Sequence, residues 1–114
     1  MKLASIQRGS LLPLLAYVNL GYMKGMSKPE QFQLILGETI RANRKRVALS
    51  QAALAEKAGV SKRFLRDLEH GRTDVSVLNL LRISHELDVP LSELFQQIER
   101  TSFGLFIPGK QQAE

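Results

Sequence analysis

Apolar residues recur at every third or fourth position along most of the chain, and polar residues fill the intervals between them. This spacing places apolar side chains on one face of an α-helix. In the first clear case, Phe32, Ile35, Leu36 and Ile40 share a face. Glycine, proline and serine interrupt the pattern and divide it into five predicted helices. These cover about 27–46, 51–58, 62–70, 76–87 and 91–100.

Serine stands at the start of four of these helices, where its hydroxyl can accept a hydrogen bond from the first turn. The residues are Ser27, Ser50, Ser61 and Ser76. Glu30 lies three residues after Ser27, which is the spacing of a capping box. We therefore expect an all-α fold, a compact bundle of five short helices.

Residues 51–70, QAALAEKAGVSKRFLRDLEH, form the most specific pattern in the chain. Ala55 is small where the next helix must cross closely, and Gly59 follows at the end of the second helix, where a left-handed residue is common. Leu65 and Leu68 then give the third helix its apolar face. Two short helices joined by a sharp turn are typical of the DNA-binding helix-turn-helix.

Composition agrees with a small basic binding domain. The chain has 114 residues, which suits one domain, and no cysteine, which excludes disulfides and thiolate metal sites. Its net charge is +5, with one basic run at 41–46 before the motif and another at 62–66 within it. A solvated helix face would also account for either run alone, but both together favour a nucleic acid.

The two ends of the chain leave alternatives open. Residues 1–26 contain two basic residues before an apolar run of about a dozen residues, too short and interrupted for a membrane span. This extension could be a secretory signal, an upstream extension with translation starting at Met26, or a segment that docks on the domain or a second subunit. Residues 101–114 could form a tail or a short strand that pairs with a symmetry mate, because Phe103, Leu105 and Ile107 alternate with smaller residues.

Residues 36–95, including LSQAALAEKAGVS and LRDLEHGR, resemble the Cro/repressor-type helix-turn-helix family, also called the XRE family. The resemblance implies a five-helix, lambda-repressor-like DNA-binding domain over about 27–100 that acts as a dimer on a near-palindromic operator. Family members often have Asn-Pro in the loop after the third helix, where this chain has Asp74 and Val75. The loop therefore lacks the rigid turn that the Asn-Pro pattern gives.

The third helix should lie in the major groove, because that groove admits one α-helix and presents a distinct pattern for each base pair. The candidates for base contact are Lys62, Arg63, Arg66 and Asp67, although Lys62 and Arg66 could touch only phosphate. The resemblance implies that Gln51 binds a backbone phosphate. The other candidates for phosphate contact are Ser61, which could equally cap its helix, and Arg41, Lys45 and Arg72, which could be merely solvated.

Two further predictions concern assembly. The resemblance implies that Arg44 pairs with Glu69 and holds the first helix against the third. We expect the fifth helix to form a dimer interface through Leu94, Phe95 and Ile98, with completion of the monomer core as the alternative.

The chain shows no nucleophile motif, paired carboxylates or glycine-rich phosphate loop, so we expect neither an enzyme nor a cofactor or metal site. We predict a cytoplasmic, sequence-specific regulator of transcription, a repressor rather than an activator. It binds an operator in double-stranded DNA as a homodimer. The alternatives are the antitoxin of a toxin–antitoxin pair, a restriction–modification controller, or a bridging coactivator.

Overall fold

The computed structural model describes residues 25–112, with side chains described as far as residue 101. Within this range the chain forms five helices. They are α1 (Lys28–Arg46), α2 (Gln51–Ala58), α3 (Lys62–Glu69), α4 (Val77–Glu86) and α5 (Leu91–Gln112). The all-α fold predicted from the sequence is confirmed. None of these helices combines the length and the apolar character needed to cross a membrane.

Serine side chains begin the first four helices, as the sequence predicted. The hydroxyl oxygens of Ser27, Ser50, Ser61 and Ser76 accept hydrogen bonds of 2.9–3.2 Å from the backbone N–H three residues later. The backbone N–H of Ser27 also donates to Glu30 Oε1 at 2.9 Å, which completes the capping box. Each such cap contributes about 1 kcal/mol to helix stability.

The last helix is longer than the sequence predicted. α5 continues through residues 101–112, so the short strand considered for this segment is wrong. An extended segment needs a partner strand for its backbone N–H and C=O groups, and in this prediction only a second chain would supply one. A helix satisfies these groups within the segment itself.

The helices form a closed ring in which each helix mainly contacts two others. The order around the ring is α1, α3, α2, α4, α5 and again α1. The core lies inside this ring. Its fully buried side chains include Ile40, Leu54, Leu65, Leu68, Ile83, Leu87, Leu94 and Ile98. α3 therefore packs against α1 and α2, and the edge between α4 and α5 lies across the ring from it.

The predicted dimer interface on the fifth helix needs correction. Leu94 is 0% exposed and Ile98 is 1% exposed, so both complete the core of the single chain. Of the three predicted residues, Phe95 alone is substantially exposed, at 40%. Helical spacing explains the difference, because positions 94 and 98 are four residues apart and share the inward face, whereas position 95 is turned about 100° away.

Two contacts fix α1 against its neighbours. A Cβ atom at Gly37 would lie 2.3 Å from the Leu68 carbonyl oxygen and 2.7 Å from that of Glu69, so only glycine permits this approach of α1 to α3. On the other side, Asn43 Nδ2 donates to Gln97 Oε1 at 2.8 Å in a buried contact between α1 and α5. The position of α3 is therefore set by backbone contact with α1.

Candidate nucleic-acid interface

The turn between α2 and α3 is the sharp turn that the sequence predicted. Gly59 ends α2 in the left-handed conformation, at φ +76°. The Val60 N–H then donates to the Ala55 carbonyl oxygen at 3.0 Å, which closes the turn. Ala55 is 2% exposed and Ala58 is 4% exposed, so small side chains lie where the two helices meet. The pair forms a helix-turn-helix.

α3 has two chemically distinct faces. Leu65, Leu68 and Glu69 are buried against the rest of the domain. Three cationic residues predicted to contact DNA, Lys62, Arg63 and Arg66, are exposed. The structure thus turns these three cations toward solvent and fixes the helix by its other side.

Two other residues of α3, Phe64 and Asp67, are partly buried. Asp67 is partly buried, and its Oδ1 lies 3.9 Å from Arg72 Nη1 in the following loop. Phe64 packs against the core. Ser61 caps α3, so its hydroxyl already accepts the Phe64 N–H at 2.9 Å.

The ion pair implied by the resemblance is present. Arg44 Nε donates to Glu69 Oε2 at 2.6 Å, and Arg44 Nη2 donates to Glu69 Oε1 at 3.0 Å. The side chains are 10% and 1% exposed, so the pair is largely removed from water. Arg44 Nη1 also donates to the Leu49 carbonyl oxygen at 2.9 Å. One guanidinium therefore links α1, the α1–α2 loop and α3.

Gln51 joins this pair through a contact that the sequence reasoning missed. Its Nε2 donates to Glu69 Oε1 at 2.9 Å. Because an ionised carboxylate only accepts hydrogen bonds, this bond assigns the amide nitrogen to the Glu69 side. The nitrogen carries two hydrogens, which leaves the second for another acceptor such as phosphate. The two partners are 18 residues apart in the sequence, so no local spacing pattern indicates the contact.

The remaining candidates for phosphate contact lie on or near the surface. Lys45 is exposed. Arg41 Nη1 lies 3.8 Å from Glu38 Oε1, and Arg72 makes the long contact to Asp67 described above. Contacts of this kind between exposed charges are weak, so either arginine can exchange its carboxylate for a phosphate at small cost.

The loop after α3 is anchored to α1. Asp74 Oδ1 accepts a hydrogen bond from Gln33 Nε2. Gly71, at φ +72°, brings its backbone so close to α1 that a Cβ there would lie 3.0 Å from Leu34 Cα. These contacts fix the loop at the point where the sequence departs from the Asn-Pro pattern.

Comparison with known proteins identifies the family. A helix-turn-helix family model matches residues 40–94. The control protein C.MunI from Mycoplasma sp is 33% identical over 60 residues, which are 53% of this chain and 81% of that protein. The chain belongs to the XRE-type helix-turn-helix family.

Other relatives agree. The transcriptional regulator SinR of Bacillus subtilis is 34% identical over 70 residues, which cover 60% of this chain and 63% of SinR. The crystal structure of the restriction-modification controller protein C.AhdI from Aeromonas hydrophila superposes with a TM-score of 0.53 and 31% identity, covering 54% of this chain and 94% of that one. This member of the XRE family is thus a DNA-binding transcriptional regulator.

Proposed function

We propose that this XRE-family chain represses transcription as a homodimer that reads the DNA major groove with α3. The observation that carries the proposal is the division of α3 into a buried face and an exposed face with Lys62, Arg63 and Arg66. A recognition helix needs this division, since one face must be fixed while the other reaches base edges.

Affinity and specificity have different sources in this proposal. Arg41, Lys45, Gln51 and Arg72 neutralise or bind phosphates, which gives affinity that falls with salt. Arg63, with Arg66 one turn later, reads base edges, and an arginine fork favours guanine. Repression follows from occupancy, because a bound dimer excludes other proteins from the operator. We propose a binding protein rather than an enzyme, acting where the DNA is, in the cytoplasm.

Selection of bound sequences from random duplex DNA tests this function. We expect two related half-sites about one helical turn apart, each with at least one guanine. If the selection enriches no sequence even at low salt, sequence-specific binding is contradicted. That result would favour a protein partner, such as the toxin that an antitoxin would bind.

The variant Arg63→Ala tests the assignment of the reading helix. We expect specific binding to weaken by about 5- to 150-fold, the range for losing one base-reading contact, with a smaller loss for non-specific DNA. Lys45→Ala is the matched control, because it removes one exposed cation outside α3. Equal losses of affinity for specific and non-specific DNA would show that Arg63 contacts only phosphate.

A second candidate function is control of a restriction–modification system. It is favoured by the similarity to C.MunI and C.AhdI. This function requires restriction and methyltransferase genes beside the gene for this chain, and an operator upstream of them. A neighbourhood without such genes would exclude it while leaving the repressor proposal intact.

A further inference from the structure

The carboxylate of Glu69 accepts hydrogen bonds from two different side chains. Arg44 Nε and Nη2 donate at 2.6 and 3.0 Å, and Gln51 Nε2 donates at 2.9 Å. The Glu69 side chain is buried, whereas Gln51 is only partly buried and begins α2. The ion pair explains how α1 is held against α3, but it does not explain the bond from Gln51. That bond joins the buried pair to a residue on the candidate nucleic-acid interface.

An ionised carboxylate restricts the Gln51 amide to one orientation. The amide has a donor end, Nε2, and an acceptor end, Oε1, and only the donor end can bond to a carboxylate. A flip that turned Oε1 toward Glu69 would set two acceptors against each other. The two hydrogens of Nε2 point in different directions, so the one that Glu69 does not hold is directed away from the carboxylate. Gln51 is thereby fixed as a donor, and a phosphate oxygen accepts hydrogen bonds.

Arg44 allows a carboxylate to hold Gln51 without repelling DNA. An unpaired carboxylate would repel the DNA backbone, because both carry negative charge. The two hydrogen bonds from Arg44 balance the charge of Glu69. The bond from Arg44 Nη1 to the Leu49 carbonyl oxygen, at 2.9 Å, holds the guanidinium in place. The pair therefore offers Gln51 an acceptor while it adds little net charge to the interface.

Fixing the Gln51 side chain before DNA arrives also lowers the entropy cost of binding. A glutamine side chain has several rotatable bonds, and it loses conformational freedom when its amide is held at a phosphate. The bond to Glu69 removes much of this freedom when the chain folds. Less freedom is then left to lose when the phosphate binds, so the same contact contributes more to affinity.

We propose that Glu69 is a positioning residue for DNA binding, which orients the Gln51 amide to donate to a backbone phosphate. This inference rests on the proposed function, and it gives the Arg44–Glu69 pair a role in DNA binding beside its role in stability. Glu69 acts through Gln51 and makes no DNA contact of its own, because its side chain is buried within the domain. Since a phosphate carries no sequence information, the effect is the same on every duplex.

The variant Glu69→Gln separates positioning from simple charge effects. It replaces the carboxylate by an amide of nearly the same shape, which has both a donor and an acceptor and so permits either orientation of Gln51. We expect the affinity for all duplexes to fall about 3- to 10-fold, which corresponds to the usual net worth of one hydrogen bond. Charge alone predicts the opposite, because the variant removes a negative charge and should bind DNA more tightly. Tighter or unchanged binding would overturn the positioning role.

A double-mutant cycle with Gln51→Ala tests whether the two residues act together. If Glu69 acts on DNA through Gln51, then Glu69→Gln should cause no further loss of affinity in a chain that already carries Gln51→Ala. Losses that multiply in the double variant would assign Glu69 a structural role only. The control Gln97→Leu removes a buried hydrogen bond between α1 and α5, away from α2 and α3, and should leave DNA affinity unchanged.

The double variant Arg44→Met with Glu69→Leu tests the same role without a stranded charge in the core. It leaves Gln51 without its acceptor, and a far-UV circular dichroism spectrum checks that it is folded. We expect it to bind all duplexes about 3- to 10-fold more weakly than the wild type, and wild-type affinity would overturn the positioning role. A wild-type chain that binds no duplex would overturn the proposed function and this inference together. Wild-type binding with losses that multiply would overturn the inference alone.

Discussion

Replacing Arg44 with methionine should destabilise the domain strongly while preserving most of the packing volume. The substitution leaves the Glu69 carboxylate, whose side chain is 1% exposed, without its cationic partner. Breaking a buried ion pair by removing one partner costs about 3–5 kcal/mol. Gln51 Nε2 still donates to Glu69 in the variant, so we expect the lower end of that range, about 3 kcal/mol.

Thermal and urea denaturation followed by circular dichroism measure this effect. For a domain of this size, about 3 kcal/mol corresponds to a fall in Tm of about 12–24 °C. The double variant Arg44→Met with Glu69→Leu should recover at least half of the lost free energy of unfolding, because replacing both partners by apolar groups removes the stranded charge. The urea m-value should stay constant, since the surface exposed on unfolding hardly changes.

Two results would refute this reasoning. An Arg44→Met variant within about 0.5 kcal/mol of the wild type would show that Glu69 is solvated or neutral in the folded chain. A double variant less stable than Arg44→Met alone would show that the site depends on the shape of the pair and not on its charge.

Three further predictions concern α1, the α1–α2 loop and the DNA contact of α2. Gly37→Ala should lower the free energy of unfolding by about 2 kcal/mol or more, because its Cβ would lie 2.3 Å from a backbone oxygen. Gly59→Ala is the control: its Cβ meets nothing within 4 Å, so it should lower the free energy of unfolding by only about 1 kcal/mol, the cost of a left-handed backbone for alanine. Ala48→Gly should raise the free energy of unfolding by about 0.5–1 kcal/mol, since Ala48 has φ +61°; Ala42→Gly, inside α1, should lower it by about 1 kcal/mol, and losses in both would contradict the backbone explanation. Gln51→Ala should weaken binding to all DNA sequences about equally in a titration of duplexes; a loss confined to one operator base would assign Gln51 to base reading.

The starts of the first four helices and the end of α2 were the most predictable parts of the fold, because their signals are local. Ser50 and Ser61 accept hydrogen bonds from residues three positions away, and Gly59 needs its left-handed conformation whatever surrounds it. The exposed face of α3 was predictable for the same reason. Its orientation follows from Leu65 and Leu68, which stand three positions apart and turn inward together.

Contacts between distant segments were harder to predict. Asn43 and Gln97 are 54 residues apart, and nothing in either sequence neighbourhood indicates that they meet in a buried contact. The need for glycine at position 37 depends on where the Leu68 carbonyl oxygen lies, which is a property of the packed bundle.

The assignment of Leu94 and Ile98 to a dimer surface was wrong for a related reason. Leu94 and Ile98 are apolar and helical, and the sequence does not show which apolar face the bundle needs for its own core. The Arg44–Glu69 pair was predictable only through the resemblance, whereas the participation of Gln51 required the structure.

The two-faced character of α3 has a consequence for how such a regulator diversifies. Leu65, Leu68 and Glu69 hold the helix, whereas Lys62, Arg63 and Arg66 contribute little to the core. Substitutions at the exposed positions should therefore change stability by less than about 0.5 kcal/mol while they alter which bases are preferred. After a gene duplication, one copy could acquire a new operator by a few such changes and remain folded throughout. The same separation makes these positions suitable for randomised libraries that seek new DNA specificities on an unchanged scaffold.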